Sequence, residues 1–447
     1  MQVLNSRCSL ASNFNMAYSM ASINMIDTDP KKIDHSPLVK GDRVDELLNR
    51  AVEEILPNKE NFKKLLQRKR IKVYLGVDPT APRLHLGHTI GLKKLQQFAD
   101  MGHEAILVIG TGTVLAGDPS LRDEARPQIS REEIKENIKT WREQAGRVLD
   151  FSKVKIKYNG DWLLKLGLAD ILRIASHISA IKLFQREMFQ RRIKRGNTVW
   201  MNETLYPLLQ GYDSVAMDID LEIGGTDQVF NMLIGRELRQ KMQNKEKFVL
   251  TFPMILGTDG RQMSKSSGNC IWLLDSADQM FGKVMSIPDG LILSYFELLT
   301  EISSKQIFQM RKDLKNKKLN PRDAKARLAF EVVKFYHSEE KAEKAGEEFN
   351  RTFKEKKTPS KMPVFVAPRE SYPMLQFLVD LKLAKSKGEA RRLVEQGGIK
   401  TIQETRNKKQ ETRIIKDWQG KIKMENGMVV QAGKRKFVKI IREDKER

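Results

Sequence analysis

Cysteine is nearly absent and no long apolar run occurs, and both gaps narrow what the chain can be. Only Cys8 and Cys270 stand among 447 residues, so neither a disulfide framework nor a cysteine zinc cluster can be built. A reducing compartment, the cytoplasm, fits best. No uninterrupted apolar stretch reaches the roughly 18 residues of a membrane span, so no membrane association is expected. Acidic residues are in deficit as well. Fifty-seven Asp+Glu stand against 80 Lys+Arg, a formal charge of +23 that suits a polyanionic partner such as nucleic acid and would equally aid solubility. Hydrophobic residues at 40%, with 19 Phe, exclude a wholly disordered chain. The length exceeds one ordinary core, and roughly two to four domains are expected.

The first 26 residues are rich in Ser, Asn and Met, with Arg7 as the one charge and no acid before Asp27. A transit peptide would carry several arginines. Residues 1–40 therefore read as a disordered leader or an over-extended start, with Met16, Met20 and Met25 as alternative initiators.

Residues 43–69 carry Val44, Leu47, Leu48 and Val52, then Phe62, Leu65 and Leu66, at helical spacing. Strand-forming residues at 71–77 enter the proline loop Asp78-Pro79-Thr80-Ala81-Pro82. A helical stripe of Leu92, Leu95, Phe98 and Ala99 follows, and 104–110 is a second strand. That order is the crossover unit of a parallel, doubly wound (Rossmann-type) α/β sheet. Further strands at 155–158, 220–223 and 248–255 alternate with helices across 167–195, across 204–216 and from 227. The expected organisation is a catalytic α/β domain over 41–270, an α-helical domain over 271–356, a linker with three prolines at 357–370, and a small basic α+β module over 371–447. That last module holds 20 Lys+Arg against 10 Asp+Glu.

Two tetrapeptides carry the chemistry. In His85-Leu86-Gly87-His88 the histidines open a helix that follows a strand and a proline loop. A helix N-terminus offers free N–H groups and partial positive charge, Gly87 lets a ligand approach the backbone, and two imidazoles add donors for phosphate oxygens. A capping histidine pair without a ligand is the competing reading. The second, Met263-Ser264-Lys265-Ser266, lies in a glycine-flanked polar loop just after the last strand. Lys265 there can meet a departing pyrophosphate, while Ser264 and Ser266 hold the loop closed. An exposed turn is the alternative for the loop alone, but two such signatures in order within one sheet are an improbable coincidence.

The pair resembles the HIGH and KMSKS signatures of the class I aminoacyl-tRNA synthetases, and residues 43–447 resemble the bacterial-type tyrosyl-tRNA synthetases. Gly76-Val77-Asp78-Pro79-Thr80-Ala81, Gly117-Asp118-Pro119-Ser120, Leu205 to Asp213 and Gly224-Gly225-Thr226-Asp227-Gln228 match that family in order. One departure is Gln262, where the signature usually has lysine. Either the adjacent Arg261 supplies that charge or Lys265 carries more of the load.

Tyr206, Gln210 and Asp213 are spaced by four and then three, so they share one helical face, with Thr204 as the expected cap and Pro207 in the first turn. The resemblance implies that Tyr74 and Asp213 bind the substrate hydroxyl, that Asp118, Tyr206 and Gln210 bind its ammonium, and that Asp227 and Gln228 meet ribose and carboxylate. It implies ATP contacts from Thr80, His85, Gly87, His88, Gly225, Asp227, Met263, Ser264, Lys265 and Ser266, catalysis by His85, His88 and Lys265, and a pyrophosphate loop bearing Arg122 and Arg126. Mg2+ is expected with ATP, without a protein metal cage. A site that hydrogen-bonds a hydroxyl rejects phenylalanine because its own groups are left unpaired, and this enzyme class is the established example.

Ser386-Lys387-Gly388-Glu389 has capping-box spacing, and Gly397-Gly398 ends the helix. With Lys387, Arg391, Arg392, Lys434, Arg435 and Lys436, the tail resembles the RNA-binding fold of ribosomal small-subunit protein four, with tRNA(Tyr) as the implied partner. A solvated basic face is the plain alternative. The resemblance further implies a homodimer, anticodon-stem contacts from the helical domain, and acceptor-end contacts from Arg191, Arg192, Lys194 and Arg195. A tryptophanyl relative and a non-catalytic RNA-binding homologue are the rival readings.

Overall fold

The computed structural model describes residues 40–120, 129–265, 267–353, 358–359, 362–404, 410–433 and 436–443. The expected leader, Arg122, Arg126, Ser266, Lys434 and Arg435 lie outside them. The chain divides into two compact units, the first ending at Ala342 and the second beginning at Glu343.

Strands covered on both faces must be apolar nearly throughout, and the central strands of the first unit are. β1 is Glu54–Leu56, β2 Lys72–Val77, β3 Glu104–Ile109, β4 Val154–Tyr158, β5 Leu221–Gly225 and β6 Phe248–Phe252. Their order in the sheet is β1-β6-β5-β2-β3-β4, with every pair parallel except β1 against β6. From β2 the chain winds outward through β3 and β4, then returns to lay β5 and β6 on the other side. A crevice therefore opens where the carboxyl ends of β2 and β5 diverge, the place where doubly wound sheets bind ligands.

Three local expectations need correction. The helices expected over 43–69 are Lys40–Asn49 and Lys59–Arg68, but β1 lies between them and was not expected; with only Ile55 buried, three residues are too few to show a period. The expected 167–195 helix is three short ones, Leu168–Ala175, Ala180–Phe184 and Glu187–Lys194, the second entered through the extended backbone of Ser179. The helix expected from 204 starts at Met201, so Thr204 is no cap. Its hydroxyl donates back to the Met201 carbonyl, and Pro207 sits inside the helix. The Trp200 N–H donates instead to the Glu203 carboxylate at 2.9 Å.

Beyond the sheet, helices Ala277–Met285, Ile292–Leu299, Ser304–Lys315 and Pro321–Tyr336 pack on the first unit. The Tyr336 hydroxyl donates to Thr89 Oγ1 at 2.7 Å, and Lys94 Nζ donates to the carbonyls of Leu47 and Arg50, both at 2.8 Å. The helix Leu86–Asp100 is thereby gripped from both sides.

In the second unit a five-stranded sheet is covered by helices Met374–Asp380 and Lys387–Glu395, with Phe377, Leu378, Ala390, Val394, Val430 and Ile440 in its core. Its edge strand, Val364–Ala367, pairs parallel with Lys436–Arg442. That strand falls within the stretch read as linker; Pro363 precedes it and supplies no break inside it. Ser386 caps the second helix by accepting from the Glu389 N–H, and Gly397 adopts φ +67°, the left-handed turn that stops it.

Arg192 is 1% exposed and grips Glu203 through both carboxylate oxygens, at 2.7 and 2.9 Å. It is thus a packing residue and not the acceptor-end contact that its neighbours suggested. Arg192→Ala would strand a buried carboxylate, and a loss of about 3–5 kcal/mol is expected, measured as a fall in the denaturant midpoint.

Candidate active site

The helix Leu86–Asp100 begins at the mouth of the crevice, and His85 caps it. The Gly87 N–H donates to His85 Nδ1 and the His85 N–H to His88 Nδ1, both at 3.2 Å. An Nδ1 that accepts a main-chain proton carries none of its own, which puts the ring proton of His85 on Nε2; His88 Nδ1 also lies 3.3 Å from the His85 carbonyl, so its tautomer follows the ligand it meets. Burial pushes both imidazoles below their usual range, His88 to about 3, and the charge of Lys265 adds to the effect. His85 keeps a neutral Nε2–H for a ligand and His88 can offer a second, so capping and binding coexist. A Cβ at position 87 would stand 2.9 Å from the His85 ring; glycine there lets that ring fold back onto its own helix.

The second signature is brought to the first by main-chain pairing. His85 and Trp272 form an antiparallel bridge, with the Leu86 N–H donating to Ile271 O at 2.9 Å and the Leu273 N–H to Leu84 O at 3.0 Å. Lys265 Nζ reaches Thr80 Oγ1 at 3.2 Å. Ser266 lies outside the described residues; the loop is closed through the Ser264 backbone, as expected, onto Asn269, which is buried. Its Oδ1 accepts from the Ser264 N–H and the Ser267 hydroxyl, while Nδ2 donates to Asp259 and Gln262 O. Arg261 is 85% exposed beside Asp259 at 3.7 Å.

Between the two signatures lies a cavity of about 290 Å³ lined by both β2 and β5 and by helix Met201–Ala216. Tyr74, Thr80, His85, Gly87, His88, Asp118, Tyr206, Gln210, Asp213, Gly225, Asp227, Gln228 and Met263 all contribute to its wall. The exposed Lys387, Arg391 and Arg392 belong to the second unit. Arg391 stacks over Trp418 and pairs with Glu395, and Lys436 Nζ donates to Leu383 O.

One end of the cavity is built around Asp213. Trp162 Nε1 donates to its Oδ1 at 2.8 Å and Asn159 Nδ2 to its Oδ2 at 3.1 Å. Tyr74, fully buried on β2, presents a hydroxyl without a hydrogen-bond partner among the described residues. Burial first, then the charges of Glu222 and Asp213, hold that phenol well above its ordinary range.

The other end is acidic. Asp118 accepts from the Ser120 N–H and hydroxyl on Oδ1 and from Gln228 Nε2 on Oδ2, and Gln228 Nε2 also donates to Asp227 at 3.0 Å. Burial raises Asp227. The Tyr206 hydroxyl donates to Asp78 Oδ2 at 2.9 Å, and Thr113 donates to Asp78 Oδ1. Arg186 reaches the Ser120 hydroxyl. Asp78, Asn159, Trp162, Glu222 and Asn269 were not singled out from sequence. Asp78 alone had a signal, its place in the Gly76–Ala81 match; the others act through folding contacts that no spacing encodes.

Burial lifts Asp213 to about 8 against the hydrogen bonds of Asn159 and Trp162. Since the unfolded value is near 3.8, the folded state holds the extra proton. Asp213 therefore favours the fold fully below pH ~4, and that contribution is lost as pH rises towards ~8. Asp213→Asn should flatten the pH dependence of the unfolding midpoint across that window; a slope like the parent's would contradict a buried neutral acid.

Comparison with known proteins agrees with this architecture. A family model for class I tRNA synthetases (W and Y) matches residues 66–354, and one for the tyrosine–tRNA ligase SYY-like C-terminal domain matches 354–440. The tyrosine–tRNA ligase of Thermotoga maritima is 41% identical over 395 residues, 88% of this chain and 96% of that relative. That of Carboxydothermus hydrogenoformans is 42% identical over 406 residues, 89% of this chain and 97% of the relative. The fold is shared with the Archaeoglobus fulgidus tyrosyl-tRNA synthetase complexed with L-tyrosine, at TM-score 0.56 and 22% identity over 68% of this chain and 99% of that one. It is shared also with a truncated mitochondrial tyrosyl-tRNA synthetase of Aspergillus nidulans, at TM-score 0.59 and 21% identity over 70% and 93%. With relatives spanning nearly the whole chain, the crevice has one reading: this chain belongs to the class I tyrosine–tRNA ligases, and its reaction is the ATP-driven attachment of tyrosine to tRNA.

Proposed function

We propose that tyrosine lies in the cavity with its hydroxyl between Tyr74 and Asp213 and its ammonium among Asp118, Tyr206 and Gln210. The observation that carries this reading is the pair of buried polar atoms in the wall, Tyr74 OH and Gln210 Oε1, that have no partner among the described residues. Buried polar groups need partners, and a tyrosine would supply both, a phenol at one end and a cation at the other.

The tyrosine carboxylate attacks the α-phosphorus of ATP, giving tyrosyl-adenylate and pyrophosphate, and a terminal ribose hydroxyl of tRNA then attacks the mixed anhydride. No protein nucleophile takes part. His85 and His88 contribute neutral Nε2–H donors to phosphate oxygens, so the positive charge met by the leaving pyrophosphate falls chiefly to Lys265. Gly225 and Asp227 hold the ribose, and Gln228 orients Asp118 as well as meeting the carboxylate. Mg2+ would enter with ATP as part of the substrate. Arg122 and Arg126 are assigned to the pyrophosphate side by family resemblance.

The exposed Lys387, Arg391 and Arg392, with Lys434, Arg435 and Lys436, are assigned to tRNA phosphates, and Arg191, Lys194 and Arg195 to the acceptor end. A homodimer is supported by an unusual density of exposed apolar side chains within 164–201: Leu164, Leu168, Leu172, Ile181, Trp200 and Met201 are each more than half exposed. Two cysteines in a chain with no apolar helix long enough to cross a membrane among the described residues support a cytoplasmic site of action.

Lys265→Ala should lower tyrosine-dependent ATP–pyrophosphate exchange by about 10²- to 10³-fold with little change in the KM for tyrosine; exchange at the parent rate would sink the assignment. Leu168 and Leu172 lie one helical turn apart, and changing both to Asp should yield a monomer in sedimentation equilibrium. A dimer that survives the double change would move the interface elsewhere.

A further inference from the structure

Behind the tyrosine pocket lies an ion pair that the chemistry above does not use. Glu222 on β5 is the register partner of Tyr74 on β2, and both line the cavity. Glu222 is 2% exposed and Lys247, just before β6, is fully buried. Lys247 Nζ pairs with Glu222 Oε2 and also donates to Met232 O at 3.1 Å. The other carboxylate oxygen, Oε1, accepts from Gln210 Nε2 at 2.9 Å.

A sealed ion pair is poor evidence of stabilisation, because desolvating two charges consumes most of their attraction and apolar residues of similar volume usually do as well. Its geometry offers a different reason. The two ends of a glutamine amide have nearly the same shape, and only their hydrogen-bond partners decide which way the group points. An ionised carboxylate is an acceptor alone, so Gln210 must turn its NH2 towards Glu222. Its Oε1 is thereby left as an unpaired acceptor in the pocket wall. If Glu222 were protonated it could donate to that oxygen and reverse the amide, placing an N–H where the substrate carries a cation. With Lys247 Nζ on Oε2 and Gln210 Nε2 on Oε1, both carboxylate oxygens are already engaged as acceptors.

We propose that Glu222 and Lys247 are positioning residues for amino-acid recognition: Lys247 keeps Glu222 a pure acceptor, and Glu222 fixes the Gln210 amide with Oε1 towards the substrate ammonium. This rests on the assignment of Gln210 to that ammonium. Neither residue touches substrate in this scheme, and the effect belongs to one functional group of the ligand. Glu222 also bears on Tyr74 across the strand register, but the phenol is common to every test ligand, so the ammonium effect is read as a difference between them.

Three ligands separate the groups: tyrosine; tyramine, which keeps the ammonium and lacks the carboxylate; and 3-(4-hydroxyphenyl)propionate, which keeps the carboxylate and lacks the ammonium. In Glu222→Gln the partner of Gln210 can either donate or accept. Tyrosine and tyramine should then weaken by about tenfold more than the propionate, with the KM for ATP unchanged. The uncharged double variant Glu222→Gln/Lys247→Met strands no buried charge and should melt near the parent temperature with the same ligand pattern. Equal weakening of all three ligands would make the pair a general support of the pocket and overturn the proposal. So would parent-like tyramine affinity in the folded double variant. Gln210→Ala distinguishes the two layers: if it leaves tyramine binding intact, the ammonium assignment itself fails. If it weakens tyramine while Glu222→Gln does not, only the positioning role fails.

Discussion

The short main-chain pairing between residues 84–86 and 271–273 is the constraint on which the ATP site depends. The signatures are far apart in sequence and neither makes a phosphate site alone. Two backbone hydrogen bonds, Leu86 to Ile271 and Leu273 to Leu84, lay the chain leaving the lysine loop against the residues that open the histidine helix. Trp272 then meets the His85 ring edge-on and Arg83 stacks on Trp272 at 4.7 Å. Backbone pairing is indifferent to side-chain chemistry, so the loop can present its lysine while its root stays anchored to the sheet.

The electrostatics of the crevice follow from burial more than from net charge. A chain of +23 keeps an amino-acid pocket walled by carboxyl groups, two neutral imidazoles and buried amides. Asp213 and Asp227 are both pushed towards their neutral forms by desolvation, whereas the Asp118 carboxylate accepts hydrogen bonds from Ser120 and Gln228. In the proposed pose the substrate phenol would meet the desolvated Asp213 and its ammonium would meet the hydrogen-bonded Asp118 at the opposite end.

Much of this was legible in the sequence because the determinants are local. Alternating strands and helices announced the doubly wound sheet, and the spacing of Tyr206, Gln210 and Asp213 announced one helical face. Less was legible where partners are distant in the chain. Glu222 sits in an apolar strand and looks misplaced until Lys247 and Gln210 are beside it. Asn159 and Trp162 acquire meaning only when β4 delivers them to Asp213, and Asn269 only when the loop folds back on it. Arg192 misled because a basic cluster reads as a surface, whereas Glu203 one helix later draws this arginine inside. β1 escaped notice because three residues, paired only with β6, leave no period to detect.

Asn269 also sets how the lysine segment is held. With one amide joined to the main chain of Ser264 and Gln262 and to the side chains of Asp259 and Ser267, the lysine segment is a stapled ring more than a loose tether. Gly260 and Gly268, at φ +79° and +69°, flank it as pivots. A segment tied at these points has little backbone freedom left to lose when it meets a ligand.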